Sequence, residues 1–367
     1  MRGNHRLRGP RRRLWLERLE DKTVPASYTA ATLPELIADI NAANQTIEAD
    51  TITLVARTTF TLTAVDNTTD GANGLPVIAA GEDLTIIGNG DAIERNTKVA
   101  PAFRLFDIAA SATLTLQNVT LQGGLSAGFG AAARGGAVYS LGSLTLNGVT
   151  VRNNAARGDQ GMNGFLGGPI PGGTAAGGGV YSEGNLTVVG SSIHNNVATG
   201  GRGADGFLAY ADGTYPVGPG PAGGALGGGL CVAGGSATIT GSTIASNSAQ
   251  GGAGGAGTAG SGGSGPGAYP STAGAPGGNG LGGGVYVAAS AVTIRTTTVT
   301  HNIAQGGRGG QGGGGSPNGG PGQGIGGGLF IDPTGIFGMD AYTVSHVKSN
   351  HASTSDNDVR GTYAVIP

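Results

Sequence analysis

Four stretches of this chain repeat one pattern: "GGAVYSLGSLTLNGVTVRNN" (Gly135 to Asn154), "GGGVYSEGNLTVVGSSIHNN" (Gly177 to Asn196), "GGGLCVAGGSATITGSTIASN" (Gly227 to Asn247) and "GGGVYVAASAVTIRTTTVTHN" (Gly282 to Asn302). Their final asparagines lie 42, 51 and 55 residues apart, yet the span from the apolar residue after the glycines to that asparagine is always 16 or 17. A fixed core with variable padding places the structure in the core.

Within the core, Leu144, Leu146, Val149 and Val151 alternate with Thr145 and Thr150, and the alternation slips one place at Asn147-Gly148. Period two predicts strands with one buried face, and the slip predicts a corner between two short strands. Leu186, Val188 and Ile193, then Ile239 and Ile244, then Val292, Ile294 and Val299 repeat the scheme. One unit cannot bury its apolar side alone. Stacked units can, each strand pairing with its counterpart about 4.8 Å along the axis in a parallel coil. An asparagine at the same corner of every rung is then expected to hydrogen-bond the asparagines above and below it, a structural job preferred over a row of ligand-binding amides.

The array extends past the four clear units. "ATLTLQNVTLQGG" (Ala112 to Gly124) carries the same strand pair with Gly124 in the asparagine's place, and a longer, more polar final unit ends at Asn350, as terminal repeats do. "ITLVARTTFTLTA" and "EDLTIIGNGDAI" read as earlier rungs. Ahead of them "TLPELIADINAAN" opens with a capping box, Thr32 with Glu35, and sets Leu36, Ile37 and Ile40 on one side of a short helix. Its expected role is to plug the open end of the stack, where strand edges would otherwise invite aggregation.

Composition narrows the function classes. Glycine fills 77 of 367 positions without a sustained G-x-y register, which argues against collagen, and aromatic residues are 5%. Seven of the 20 basic residues (Arg2, Arg6, Arg8, Arg11, Arg12, Arg13 and Arg18) fall in the first 18 positions, leaving 13 basic against 21 acidic beyond them. A body of that charge is not a nucleic-acid binder. No run of 18 apolar residues is present, so no transmembrane helix is expected. The single cysteine, Cys231, aligns with Tyr139, Tyr181, Tyr286 and Phe330 and reads as a small apolar member of a stacked row.

The "GG[GA]-[VL]-[YFC]" openings and "T-x-x-x-N" closings, with "IERNTKVAPAFRLFDIAASATLTLQNVTLQGG" (Ile93 to Gly124) and "NHASTSDNDVRGTY" (Asn350 to Tyr363), resemble right-handed parallel β-helix proteins of the pectin lyase-like superfold, in particular bacterial surface proteins with polymorphic outer-membrane-type repeats. The opening stretch "LERLEDKTVPA" (Leu16 to Ala26) resembles LEPR-type amino-terminal segments of exported bacterial proteins. These resemblances imply an all-β fold, a single-stranded right-handed parallel β-helix (solenoid) with a short amino-terminal capping helix and glycine-rich inserts, and an extracellular or cell-surface location. The expected organisation is a basic export-type segment over 1–26, the coil over 27–363 with core repeats over 112–350, and a tail over 364–367.

Between each rung's asparagine and the next rung's first apolar residue lie 25, 33, 37 and 26 residues, far more than one side of a coil needs. The composition favours flexible loops projecting from one edge. The alternative is side-by-side polyproline-II segments, which glycine permits by letting backbones approach closely.

Chemistry is sparse. From Gly213 to Ile294 there is no Asp, Glu, Lys or Arg, so the central rungs supply neither the paired carboxylates of a hydrolase nor a basic proton abstractor. Asp91, Glu94, Arg95, Lys98, Arg104 and Asp107 cluster on an early rung; Asp332, Asp340, His346, Lys348, His351, Asp356, Asp358 and Arg360 cluster at the end. Both are expected to be solvated coil ends in preference to acid-base pairs, and "TSDNDV" (Thr354 to Val359), a calcium-binding candidate through Asp356, Asn357 and Asp358, lacks the spacing and closing Glu of an EF-hand and is not an RTX nonapeptide. No catalytic, cofactor or metal residue is assigned. The sequence points to a non-catalytic structural or adhesin-like surface protein. Its expected partners are extracellular polysaccharide or cell-envelope components, met along rows of Thr, Ser and Asn on the solvent face. A carbohydrate-active enzyme, lyase or hydrolase, is the alternative.

Overall fold

The computed structural model describes residues 25–46, 48–99, 101–128, 132–164, 168–209, 215–260, 270–288 and 290–367. The arginine-rich opening through residue 24, on which most of the export reading rests, lies outside them.

The alternating segments become strands, and the slip becomes a corner. After Ser143–Asn147 the chain turns at Gly148, forms Thr150–Arg152, turns again and forms Ala155–Arg157; beyond a glycine-rich insert come Ala175–Ala176 and Val180–Ser182, and Leu186 opens the next round. Repetition of this path stacks equivalent strands into five parallel sheets, called I to V in the order the chain visits them, of 10, 8, 6, 5 and 7 strands. The register follows the repeat: Leu144 pairs with Leu114 on one side and Leu186 on the other, and Val151 with Leu121 and Ile193. The result is an all-β chain with few helices, an arrangement consistent with a parallel β-helix.

Inward side chains of sheets I, II and V fill one continuous core, in which Leu144, Val151 and Val180 are at most 1% exposed. A second core lies between sheets III and IV and is made of alanine alone: Ala133, Ala156, Ala175, Ala198, Ala225 and Ala249. There the two sheets approach too closely for a larger side chain.

The corners explain the glycines of the repeat. Gly148 turns from sheet I to sheet II with φ +65°, a left-handed conformation that costs a Cβ-bearing residue. At the Gly-Gly opening of the second unit, Gly177 has φ +62°, and a Cβ on Gly178 would stand 2.3 Å from the carbonyl oxygen of Gly228 in the next rung. One glycine makes the turn; its neighbour lets the rungs meet.

The asparagine ladder is present. Asn154 donates from its backbone N and its Nδ2 to Oδ1 of Asn196, at 3.1 and 3.0 Å; Asn196 does the same to Asn247, Asn247 to Asn302, and Asn302 to Asn350. Each amide also donates to a strand carbonyl, as Asn196 does to Val151 at 2.9 Å. Gly124 donates its N–H to Asn154 at one end, and Asp358 accepts both donors of Asn350 at the other. A second, hydroxyl ladder runs at the corner between sheets I and II: Val149 N–H to Ser191 Oγ, Ser191 N–H to Ser242 Oγ, Ser242 N–H to Thr297 Oγ1 and Thr297 N–H to Thr343 Oγ1, at 3.0 to 3.3 Å.

The described parts of the inserts are not flexible loops; they pack. Their backbones bond across successive inserts every third residue: Gly200, Gly203 and Gly206 donate to Gln250, Ala253 and Ala256, and Gly251, Gly254 and Gly257 donate to Gln305, Arg308 and Gln311. Three residues is the turn of a polyproline-II helix. The intervening glycines bond to a different neighbour, Gly252 to Gly223 and Gly255 to Gly220. In each Gly-Gly-x triplet both glycines therefore face other backbones, while x, as at Ala253 and Arg308, faces solvent. The loop expectation failed because the flexibility of an isolated glycine chain is overcome once its N–H groups find regularly spaced carbonyls.

At the amino-terminal end, helix Leu33–Ala43 carries the capping box, with Thr32 accepting from Glu35 N and Glu35 accepting from Thr32 N at 3.0 Å. Leu36 and Ile40 are fully buried over the first rung. At the other end Ala364–Ile366 pairs in parallel with Gly338, Met339 and Asp340 in sheet I.

Candidate functional site

Alternation that buries Leu144 and Leu146 turns Thr145 outward, and the stacking register then copies that hydroxyl from rung to rung. Thr51, Thr85, Thr115, Thr145, Thr187, Thr238 and Thr293 are successive register partners in one column on the outer face of sheet I. Sheet II carries a parallel column of Thr120, Thr150, Ser192, Thr243 and Thr298. All are partly or fully exposed. The face offers hydroxyl donors and acceptors at the rung spacing, about 4.8 Å, over a length no compact pocket provides.

Beside the second column runs a mixed one, Thr61, Glu94, Gln122, Arg152 and His194. Its members are linked: Glu94 accepts from Thr61 Oγ1 at 3.1 Å and from Gln122 Nε2 at 2.5 Å, and Arg152 Nε donates to Gln122 Oε1 at 2.9 Å. Next to it opens a cavity of about 430 Å³ lined by Glu94, Arg95, Lys98, Gln122 and Asn153 among others. Burial and the neighbouring Arg152 hold the His194 imidazole below its ordinary value, favouring the neutral ring.

The early charged cluster does not stay together, and much of it is not solvated. Asp91 is 3% exposed and accepts the Thr58 N–H. Arg104 and Asp107, at 4% and 0%, form a separate buried group: their charged ends lie 3.7 Å apart, Asn73 donates to Asp107 at 2.9 Å, and the guanidinium lies 4.8 Å from the Tyr139 ring centroid. Burial raises the Asp107 carboxyl despite Arg104 and lowers the guanidinium. The expectation of solvated ends overlooked the segment Asn67–Asn73, whose hydrogen bonds to Asp107 and Arg104 bring it over this rung.

Asp107 heads a column on the outer side of sheet V that continues through Tyr139, Tyr181, Cys231, Tyr286 and Phe330. Tyr139 stacks on Tyr181 at 5.5 Å and Tyr286 on Phe330 at 5.3 Å, with Cys231 in the row as the sequence predicts. Burial pushes its thiol up to about 12, so it is an apolar filler rather than a nucleophile.

The carboxy-terminal carboxylates are committed to structure. Asp332 closes a turn onto Thr334, Asp340 caps helix Ala341–His346 through Thr343 N–H at 2.8 Å, Asp358 ends the asparagine ladder, and Asp356 pairs with Arg360 at 3.2 Å. Asn357 accepts from Ala352 N–H at 2.8 Å. "TSDNDV" thus spends its oxygens on the last rung. His194 and His301 occupy different columns, on sheet II and at the following corner. Among the described residues no helix is long and apolar enough to cross a membrane.

No protein-family model, curated protein or solved structure matches this chain.

Proposed function

We propose that the chain is a single-stranded right-handed parallel β-helix of the pectin lyase-like type, exported to the cell surface or matrix, that acts as a non-catalytic scaffold binding an extended polysaccharide. The observation that carries this reading is the seven-threonine column of sheet I beside the hydroxyl column of sheet II. Hydroxyls repeated at about 4.8 Å along a straight axis suit a straight polymer of polyols, each contact weak and the sum useful through multivalency. Export is supported by the likeness of Leu16 to Ala26 to LEPR-type segments. Against a hydrolase, two cavities beside the early rungs each have one carboxylate among their described lining residues, Glu94 in the larger and Asp70 in the smaller, where the reaction needs two.

The test is retention of the folded chain on immobilised neutral and uronate polysaccharides, with and without calcium, alongside assays for unsaturated products and new reducing ends. Retention without product, reduced when Thr145, Thr187 and Thr238 are changed together to valine, is the expected result. Product formation would replace this reading with a carbohydrate-active enzyme, and absence of both would leave a structural surface element.

A further inference from the structure

Two cations, Arg95 and Lys98, line a cavity of about 430 Å³ where the edge of sheet II meets the corner to sheet III, and two more stand on neighbouring strands. Arg95 is held there as a fixed group: its Nε donates to Gly123 O at 2.7 Å, its Nη1 to Pro101 O at 3.2 Å, and its guanidinium lies 5.9 Å from the Phe103 ring centroid. Only 9% of it is exposed. Lys98, on the loop that follows, lines the same cavity and is exposed. Outside the lining, Arg152 stands on the adjoining rung, its Nε tied to Gln122, and Arg157 ends the neighbouring sheet III strand, its charge adding to the positive field at Arg95. Against the two lining cations stands one carboxylate among the described lining residues, Glu94, already engaged by two neutral partners, Thr61 and Gln122. Fixed guanidinium groups in partial burial favour an oxyanion, through charge-assisted hydrogen bonds that an ammonium in open water does not match. A cavity of several hundred Å³ accepts a sugar ring and not merely an ion.

We propose that this cavity is a binding pocket for one anionic substituent, a carboxylate or a sulfate ester, carried on a sugar. It deepens the scaffold reading and rests on it in one respect: the pocket adjoins the hydroxyl column of sheet II, so a polymer lying along that face presents one charged residue to it. The hydroxyl columns bind the chain anywhere along its length; the pocket fixes its position and selects acidic polymers.

The test titrates the full chain with galacturonate, glucose 6-sulfate and methyl galactoside, reading amide shifts in NMR spectra, and separately measures retention on a neutral polysaccharide. Binding of at least one acidic sugar roughly tenfold or more tighter than the neutral one is expected. The affinity should fall with salt and drop several-fold in Lys98→Ala combined with Arg157→Gln, both exposed, with the circular dichroism spectrum unchanged. The two acidic sugars separate carboxylate from sulfate recognition. Equal affinity for acidic and neutral sugars, no binding of either acidic sugar, or acidic binding untouched by the double variant would overturn the pocket. Retention of the neutral polymer without acidic preference would sink the pocket and leave the scaffold; acidic sugar binding without polymer retention would do the reverse.

Discussion

A buried asparagine is tolerated in an apolar stack only when every polar atom has a partner, and here each has one: Asn196 accepts from Asn154 twice and donates to Asn247, Val151 and His194. Asn196→Ala strands the two donors of Asn154 and at least one strand carbonyl, so it should cost about 1 to 3 kcal/mol. An unchanged denaturant midpoint would show that the ladder contributes nothing. Asp358 provides a sharper case, because it closes the ladder without being part of the repeat. Asp358→Ala should lower stability by about 1 to 2 kcal/mol, whereas Asp358→Asn, which keeps an accepting Oδ1, should restore most of it; equal losses in the two variants would mean that the carboxylate matters through charge instead. The asparagines were legible in sequence because a polar residue closes each apolar unit at a fixed distance. The hydroxyl ladder was not, since Ser191, Ser242 and Thr297 are lost among the many outward Ser and Thr, and a valine, Val149, holds the same place one rung earlier. Asp358 was equally hidden, lying 8 residues after Asn350 rather than a rung away.

At the scale of elements, the inserts show how a periodic signal escapes notice. Their Gly-Gly-x triplets run for only two or three repeats, as in Gly251 to Gly257 or Gly306 to Gly313, before a turn breaks the phase. The contacts that make the period meaningful come from other inserts some 50 residues away, Gly251 bonding to Gln305 and Gly200 to Gln250. Amide exchange should therefore alternate inside one triplet: Gly251, Gly252, Gly254 and Gly255 protected, the exposed Ala253 not. Uniformly fast exchange would refute the packing. A Cβ on Gly255 would fall 1.8 Å from the Ala204 carbonyl oxygen, so Gly255→Ala should destabilise by about 1 to 3 kcal/mol, while Ala253→Ser should be close to neutral. The alanine core had a visible signal that only the structure explains, an alanine two places after each asparagine at Ala156, Ala198, Ala249, Ala304 and Ala352. The first rung adds a pH dependence. Glu82 is 2% exposed, neither carboxylate oxygen has a hydrogen-bond partner among the described residues, and burial with nearby Asp50 and Asp83 raises its pKa from 4.5 to about 7. The native state then binds the proton more tightly than the unfolded chain, so stability is greatest below the ordinary glutamate value and falls as pH rises from about 4.5 to about 7. Glu82→Gln should flatten that segment of the stability profile; a wild-type profile that rises across this window, with the variant following it, would refute the assignment.

For the whole molecule, stability should be a sum over rungs and the interfaces between them, because each rung bonds chiefly to its two neighbours. This was the most legible level: repeated apolar residues at constant spacing admit few arrangements other than stacking, and the register pairs Leu144 with Leu114 and Leu186 as the alignment of units requires. The sequence offered less about the outside of the stack, where the cavity beside Arg95 and the buried Arg104–Asp107 pair depend on loops belonging to no repeat. Additivity has a consequence that two deletions separate. Removing residues 155–196 joins Asn154 to Val197, the register partner of the Ala155 it replaces. Every remaining strand keeps its sheet, and what is lost is one rung and the first insert. This variant should fold cooperatively, with a denaturant m-value lower by roughly a tenth, in line with the surface removed. Removing residues 155–185 instead joins Asn154 to Leu186, sending the chain from a sheet II corner straight into a sheet I strand without the segments of sheets III, IV and V that carry it round. Its inward side chains have no site to enter, so cooperative unfolding should be lost. If the shorter deletion folds as well as the longer one, the stacked-rung account fails, since the shorter one removes fewer residues and is disfavoured only by the broken rung phase.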